Sequence, residues 1–563
     1  MKYMNRLKKS GVFWLIILLI GSSVAFWGFN RDERNFEISK NLNIYYTLFR
    51  ELNLFYVDEI EPGDLVKKSM DAMLSSLDPY TTYIPESEIE DFKLMTTGEY
   101  AGIGALISKH KEDVIIAEPY EGFPADKAGL KAGDVLLEIN GTKIQGKSTS
   151  DVSNLLKGQP NMPLTIKIKR FGEKKPLEKK LIREHIQLEC VPYFGMVSDS
   201  IGYIHLNQFT NKATREVKEA LQELKKQNAK SIVLDLRGNP GGLLDQAIEI
   251  VNLFVDKGNE IVSTKGKVSK WDKSYVATRT PVDSEIPVAV LVSRGSASAS
   301  EIVSGALQDL DRGVVIGQRT FGKGLVQTTR NLSYNAKLKV TTAKYYIPSG
   351  RCIQALDYSH RNEDGSVGKV PDSLITEYNT KNGRKVYDGG GILPDIQITP
   401  EKYSNLAIHL IRKFMIFDFA TRYTNNHENI APAKDFLISD ADYESFRNYL
   451  KEQKFSYESE SEELLKQLQK VAKEEKYHGN AAKEFESLGL KLAHNLDRDL
   501  DAFKNEIKDL ISQEIVKRYY YQKGGIVYAL SNDKTLERAI EVLQTPKEYN
   551  GILDGSITTE KKK

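Results

Sequence analysis

Val288-Ala289-Val290-Leu291-Val292-Ser293-Arg294-Gly295-Ser296-Ala297-Ser298-Ala299-Ser300 runs from five consecutive apolar residues into a cluster of small ones, and a helical pattern follows over Glu301 to Leu310. A continuous apolar run of this length reads as a strand buried on both faces. The small residues permit a sharp strand-to-helix corner. Such a corner would expose the hydroxyl of Ser298 at the lip of a sheet and leave the first amides of the helix free to face developing negative charge. Ser and Ala are also ordinary at helix starts, so an N-cap role explains Ser296 or Ser298 equally well from these residues alone.

A serine hydroxyl needs a base. After the apolar strand Val314 to Ile316 comes Thr320-Phe321-Gly322-Lys323-Gly324-Leu325-Val326-Gln327, in which glycines bracket a lysine. That bracketing allows close backbone approach and lets the side chain enter a crowded site. Free lysine titrates near ~10.4, so acting as a base near neutrality requires a depression of roughly three units, on the order of 4 kcal/mol. The apolar Phe321, Leu325 and Val326 disfavour the ammonium form, and Gln327 can orient the amine. A surface lysine in a Gly-rich hairpin is the alternative reading. A third segment, Ile232-Val233-Leu234-Asp235-Leu236-Arg237-Gly238-Asn239-Pro240-Gly241-Gly242, is a buried strand entering a Gly-rich turn whose amides can form half of an oxyanion hole. It lacks the Lys-Ser/Thr ending of a phosphate-binding loop and the spaced dinucleotide fingerprint, which excludes both nucleotide readings. A Ser-His-Asp triad using His205 and Asp235 is a further possibility.

Outward from this region, strands and helices alternate over residues 186 to 347, as in an α/β layer structure. Residues 98 to 170 carry short apolar runs between Gly-containing turns and predict a small β-rich domain, with a lysine-rich connector at 173 to 180. Residues 33 to 95 read as helices, with Ile44, Leu48, Leu52 and Phe55 forming a packing or dimerisation stripe. From 401 to 555 the chain is charge-rich and helical, with Leu464, Leu465, Leu468 and Val471 on one stripe. A chain of 563 residues favours three or four domains. Its 79 basic and 77 acidic residues nearly cancel, which gives a nucleic-acid partner no support. Cys190 and Cys352 are too few for a disulfide framework and read as reduced thiols. Lys2, Arg6, Lys8 and Lys9 precede an uncharged run from Gly11 to Phe29. This pattern predicts a signal-anchor in an inner membrane, with the rest in the periplasm or another extracytoplasmic space, or a signal peptide cleaved near Ser23-Val24-Ala25.

The serine segment Ser296 to Ile302, the lysine segment Phe321 to Gly324 and the glycine turn together resemble the carboxy-terminal processing peptidases, or tail-specific proteases, a serine-lysine family. The strand Thr341 to Tyr346, Pro348-Ser349-Gly350 and the turn Gly391-Ile392-Leu393-Pro394-Asp395 extend the similarity. The resemblance implies an α/β multidomain fold with a crotonase-like (ClpP/crotonase) serine peptidase core, an inserted β-rich PDZ domain and flanking helical regions. On this reading the boundaries are 1–30 for the signal segment, 31–97 for N-terminal helices, 98–172 for the PDZ domain, 173–400 for the peptidase and 401–563 for a C-terminal helical region. It further implies Ser298 as nucleophile, Lys323 as base, Gln327 as the residue that positions it, and oxyanion amides from Ala299 and from Gly241 or Gly242. Gly102-Ile103-Gly104-Ala105-Leu106 resembles the PDZ carboxylate-binding loop, although an alanine stands where many such domains carry an aromatic residue. The expected partners are protein or peptide substrates with exposed C-terminal tails, a membrane through residues 11–29, and a second copy in a homodimer. No metal or organic cofactor is required. The rivals are a non-catalytic PDZ adaptor on an inactive peptidase scaffold and a crotonase-fold acyl-thioester enzyme.

Overall fold

A computed structural model describes residues 35–362, 364–492 and 495–557. The apolar run 11–29, on which membrane anchoring is expected, lies outside the described residues; among those described, no helix is long and apolar enough to cross a membrane. The chain divides into two compact units, Met1–Tyr83 and Ile84–Lys563. The first holds a helix over residues 35–55 and a second at Pro62–Ser75. Ile44, Leu48, Leu52 and Phe55 stand exposed on the first of these helices.

The second unit opens with helix α1 (Ile89–Thr97) and strand β1 (Glu99–Gly102). Next comes the β-rich domain, an antiparallel sheet in the order Ala105–His110 (β2), Asp113–Pro119, Val135–Ile139, Pro163–Lys169 and Leu177–Ile182. Helix α2 (Thr149–Leu156) is started by a reciprocal Ser148/Asp151 capping box and buries Val152 and Leu156 against Ile103, Ile116, Leu136 and Ile166. Of the expected connector at 173 to 180, residues 173–176 form a turn between strands and 177–180 belong to this sheet. Leu177 and Leu181 point inward four apart with Lys179 between them on the same face and Glu178 and Lys180 on the other, so strand periodicity is masked by charge. Strand β3 (Glu184–Gln187) then returns to pair with β1, closing the domain at its neck.

The α/β layer is a six-stranded sheet in the order Tyr193–Ser198, Ile201–His205 (β4), Ser231–Asp235 (β5), Val288–Val292 (β6), Val314–Gly317 (β7) and Ile396–Gln397. The first pair is antiparallel and the others parallel. Every residue of β5 and β6 is buried, so both sheet faces need cover. Ile232, Leu234, Val288, Val290 and Val292 face one core, which includes helix α3 (Ala299–Asp309). Val233, Ala289, Leu291 and Ile316 face the other. Strands β8 (Leu325–Asn331) and β9 (Lys337–Tyr346) form a long antiparallel hairpin beside this layer.

Beyond residue 400, helices Asn405–Arg412, Met415–Asn426, Asp440–Glu452 and α4 (Lys504–Leu530) share a core around Phe419, Tyr443, Phe446 and Ile511. The last two helices, Lys534–Gln544 and Pro546–Leu553, do not belong to that core. Leu536, Ala539, Val542, Tyr549 and Ile552 cover the second face of the six-stranded sheet, and the Tyr549 hydroxyl accepts the Val288 amide at 3.0 Å. The boundary drawn at 400 therefore separates segments that fold together, because a parallel sheet left bare on one face would expose Val233, Leu291 and Ile316. Leu536→Ala is expected to destabilise the protein by about 2–4 kcal/mol in urea denaturation. An unchanged midpoint would show that these helices are not part of the peptidase core.

Candidate active site

At the corner between β6 and α3 the three serines take different roles. Ser296 Oγ donates to the Leu236 carbonyl at 2.7 Å and accepts the Ser293 amide at 2.9 Å, and Ser300 Oγ donates to the Asn239 carbonyl at 2.9 Å. Both are fully buried and pin the corner to the turn after β5. Ser298 between them is only half-buried and holds φ 55°, ψ −112°. A side chain in that region costs about 1–3 kcal/mol and persists only where surroundings impose it.

Ser298 lines a cavity of about 380 Å³ together with Ala299, Gly241, Gly242, Lys323 and Gln327. The cavity wall is otherwise largely apolar, with Leu243, Ile302, Leu325 and Val326 on one part and Phe92 and Met95 of α1 on another. Lys323 is half-buried, in the loop between β7 and β8. A Cβ on Gly322, at φ +87°, would come within 2.4 Å of the Ala355 side chain, so the loop can press against that segment only because no side chain precedes Lys323. Gln327 lies just past a bulge in β8 and donates to Thr341 Oγ1 at 3.2 Å.

What brings the serine and lysine segments together is Glu301, one turn into α3. Its Oε2 accepts the Ser298 amide at 2.8 Å and the Lys323 amide at 2.9 Å. Its Oε1 accepts the Gly322 amide at 2.7 Å and the Thr320 hydroxyl at 2.6 Å. The carboxyl group is fully buried; burial pushes it above the ordinary carboxylate range, and the four donors pull against that. Tyr345 adds a second link, its hydroxyl shared between the carbonyls of Lys323 at 2.7 Å and Ser298 at 3.2 Å. Phe321 N–H donates to the Ser296 carbonyl at 3.0 Å as a third.

The two glycines of the turn after β5, expected to supply an oxyanion amide, are not equivalent. Gly241 N–H donates to Asn239 Oδ1 at 2.9 Å, so that amide is already used. Among the described residues no acceptor takes the amides of Gly242 or Ala299. A Cβ on Gly241 would meet the Ala299 nitrogen at 2.9 Å, and one on Gly242 would meet the Phe209 carbonyl oxygen at 2.3 Å. This close packing holds the turn against the serine corner. His205 and Asp235 are not part of the cavity wall. The Asp235 carboxylate is occupied by Tyr203 at 2.6 Å and by Arg237, and His205 Nδ1 is 4.0 Å away.

In the β-rich domain, Gly102 ends β1, Ile103 is buried in the domain core, and Gly104 at φ +70° turns the chain into β2, which Ala105 and Leu106 begin. Only Leu106 of these carries an exposed side chain. The Tyr100 oxygen faces the amides of Gly104 and Ala105, and burial raises its phenol above the ordinary range. A tyrosine hydroxyl therefore sits at the loop amides expected to hold a carboxylate. Lys157, after α2, pairs with Asp91 of α1, the helix that also walls the catalytic cavity.

Sequence reasoning named Ser298, Lys323, Gln327 and the glycine turn, but missed Glu301, Tyr345, Asn239, Thr320 and Tyr100. Glu301 was visible as the Ser-x-x-Glu spacing of a capping box, a signal that ordinarily means only a helix start. The others had no local signal.

Residues 200–360 match peptidase family S41, residues 115–170 match a PDZ domain, and residues 406–543 match the C-terminal helical domain of probable PDZ-proteases. A carboxy-terminal-processing protease of Bartonella bacilliformis is 39% identical over 342 residues, 60% of this chain and 76% of the relative. A probable CtpA-like serine protease of Staphylococcus aureus strain N315 is 34% identical over 375 residues, 65% of this chain and 67% of the relative. The solved structure of the photosystem II D1 C-terminal processing protease is 29% identical, covering 64% of this chain and 88% of its own, with a TM-score of 0.35.

Glu301→Gln keeps one acceptor oxygen but turns an NH₂ group towards two donors. It is expected to cost about 2 kcal/mol of stability and to lower kcat on any substrate turned over at Ser298 about 100-fold through misplacement. Full kcat in that variant would remove Glu301 as the link between the two segments.

Proposed function

Because the chain belongs to peptidase family S41, with the carboxy-terminal-processing serine proteases, we propose that it cleaves proteins near their C-terminal ends with Ser298 as nucleophile and Lys323 as general base. The observation that carries this reading is that both side chains line one cavity while their backbones are bound to the same carboxylate oxygen of Glu301. Neutral Lys323 takes the Ser298 hydroxyl proton as Oγ attacks the scissile carbonyl carbon. The amides of Ala299 and Gly242 receive the oxyanion, each worth about 100-fold or more in rate. Collapse breaks the C–N bond, the Lys323 ammonium returns its proton to the departing amine, and an acyl ester remains on Ser298. Water, deprotonated in turn by Lys323, hydrolyses the ester and frees the enzyme. Gln327, on the β8 face that lines the cavity, orients the amine.

The PDZ domain supplies the selection of substrate ends. An extended tail adds to the edge of β2 beside α2, its carboxylate going to the Gly102–Leu106 loop once Tyr100 yields the amides. The positively flanked apolar run at 11–29 supports substrates outside the cytoplasm and a membrane-held enzyme. The exposed stripe Ile44, Leu48, Leu52 and Phe55 supports a second copy as its cover.

Protein lacking the first thirty residues is expected to cut an unstructured reporter with an apolar tail. Ser298→Ala and Lys323→Ala should each abolish cutting while tail binding, followed by fluorescence anisotropy, persists. Lys323→Arg should also fail, since a guanidinium cannot accept the proton. Turnover surviving in either lysine variant would exclude Lys323 as the base.

A further inference from the structure

The cavity that holds Ser298 has a second amine. Of the side chains on its wall, only Lys323 and Lys339 can carry a positive charge, and no aspartate or glutamate is among them. Lys339 stands in β9 directly opposite Thr329 in β8, one alternation away from the Gln327–Thr341 pair. Side chains two apart on a strand share a face, so Gln327, Thr329 and Lys339 reach the cleft together. Lys339 is half-buried, and burial lowers its ammonium below the usual lysine range. Among the described residues no carboxylate pairs with it. A partly desolvated cation without a counter-ion is a cost that an arriving anion removes. The long antiparallel pairing of β8 and β9, seven register positions with one bulge, fixes where that cation stands relative to Gln327.

We propose that Lys339 is a specificity residue that binds a substrate carboxylate within the catalytic cavity, either the free C-terminus or an acidic side chain close to the scissile bond. The inference rests on the reading of Ser298 and Lys323 as the catalytic pair. It adds a second point of anion recognition, distinct from the PDZ loop, that sets which bond near a tail lies over Ser298. The competing view is that the lysine stem only covers apolar wall and sends its head to water.

The test uses the protein lacking its first thirty residues and fluorogenic peptides of one sequence. One pair ends in a free carboxylate or a carboxamide; a second set carries glutamate or glutamine at each position flanking the cleaved bond. For at least one pair, kcat/KM is expected to favour the carboxylate about tenfold or more, as a charge-assisted hydrogen bond would give. Lys339→Met, which keeps the stem, should collapse that ratio mainly through KM, and Lys339→Arg should retain it. Any preference contributed by the PDZ loop is common to all these forms, so the change in ratio reads Lys339. The first pair responding identifies the chain end; the second identifies an acidic side chain. A ratio unchanged in Lys339→Met, including an equal loss on every peptide, overturns the proposal while leaving Ser298 and Lys323 intact. A parent enzyme that cuts none of the peptides overturns the catalytic reading and this one with it.

Discussion

Oε2 of Glu301 accepts the amides of Ser298 and Lys323 at once, at 2.8 and 2.9 Å, and the rest of the site follows from that sharing. Serine and lysine reach the cavity from different connections, one after β6 and the other after β7, and Thr320 stands nineteen positions after Glu301. A carboxylate in a dry interior makes strong hydrogen bonds and tolerates few arrangements of its donors. Two loops that both donate to it are therefore held in one mutual position. Tyr345 repeats the restraint on the carbonyl side, so at both Ser298 and Lys323 the amide and the carbonyl are satisfied.

The strained Ser298 backbone depends on the same arrangement. Its φ of 55° is held because Ser296 and Ser300 on either side are fixed to the turn after β5, while its own amide is held by Glu301. The turn in its place depends on glycine, since a Cβ at position 241 would collide with the Ala299 nitrogen. Strain, burial of Glu301 and the conformational demand of Gly241 and Gly242 are all unfavourable locally. They are offset by the apolar packing of β5, β6 and α3, in which nearly every side chain is removed from water.

That packing needs the end of the chain as well as its middle. The sheet carrying the serine corner is buried on one face by α3 and its neighbours and on the other by the helices at Lys534–Gln544 and Pro546–Leu553. The intervening helical core meets the β-rich domain through the Tyr521 hydroxyl on Asp126 and through His110 beside Asp418. PDZ domain, six-stranded sheet and C-terminal helices are thus joined by specific side-chain contacts within one unit, and the neck formed by β1 and β3 carries the Tyr100 that faces the Gly102–Leu106 loop.

Much of this was legible locally. Five apolar residues running into a Gly-Ser-Ala corner, a lysine between two glycines and a strand ending in Gly-Gly are signals carried by neighbouring residues, and it was through the family resemblance they carry, with Gly102–Leu106 for the PDZ domain, that the fold class and the serine-type peptidase assignment were reached. The strand at Leu177–Ile182 was hidden because lysines between its inward leucines resemble a solvated linker. Which of three serines is not pinned to the turn after β5, which glycine amide is already used, that a capping glutamate also reaches the lysine loop, and that Lys339 shares a cavity with Ser298 were decided only by tertiary structure. All but the Gly241–Asn239 bond are relations between residues tens of positions apart. Local pattern determines which groups can react or turn, whereas the burial and hydrogen bonding that select among them arise only when distant segments exclude water together.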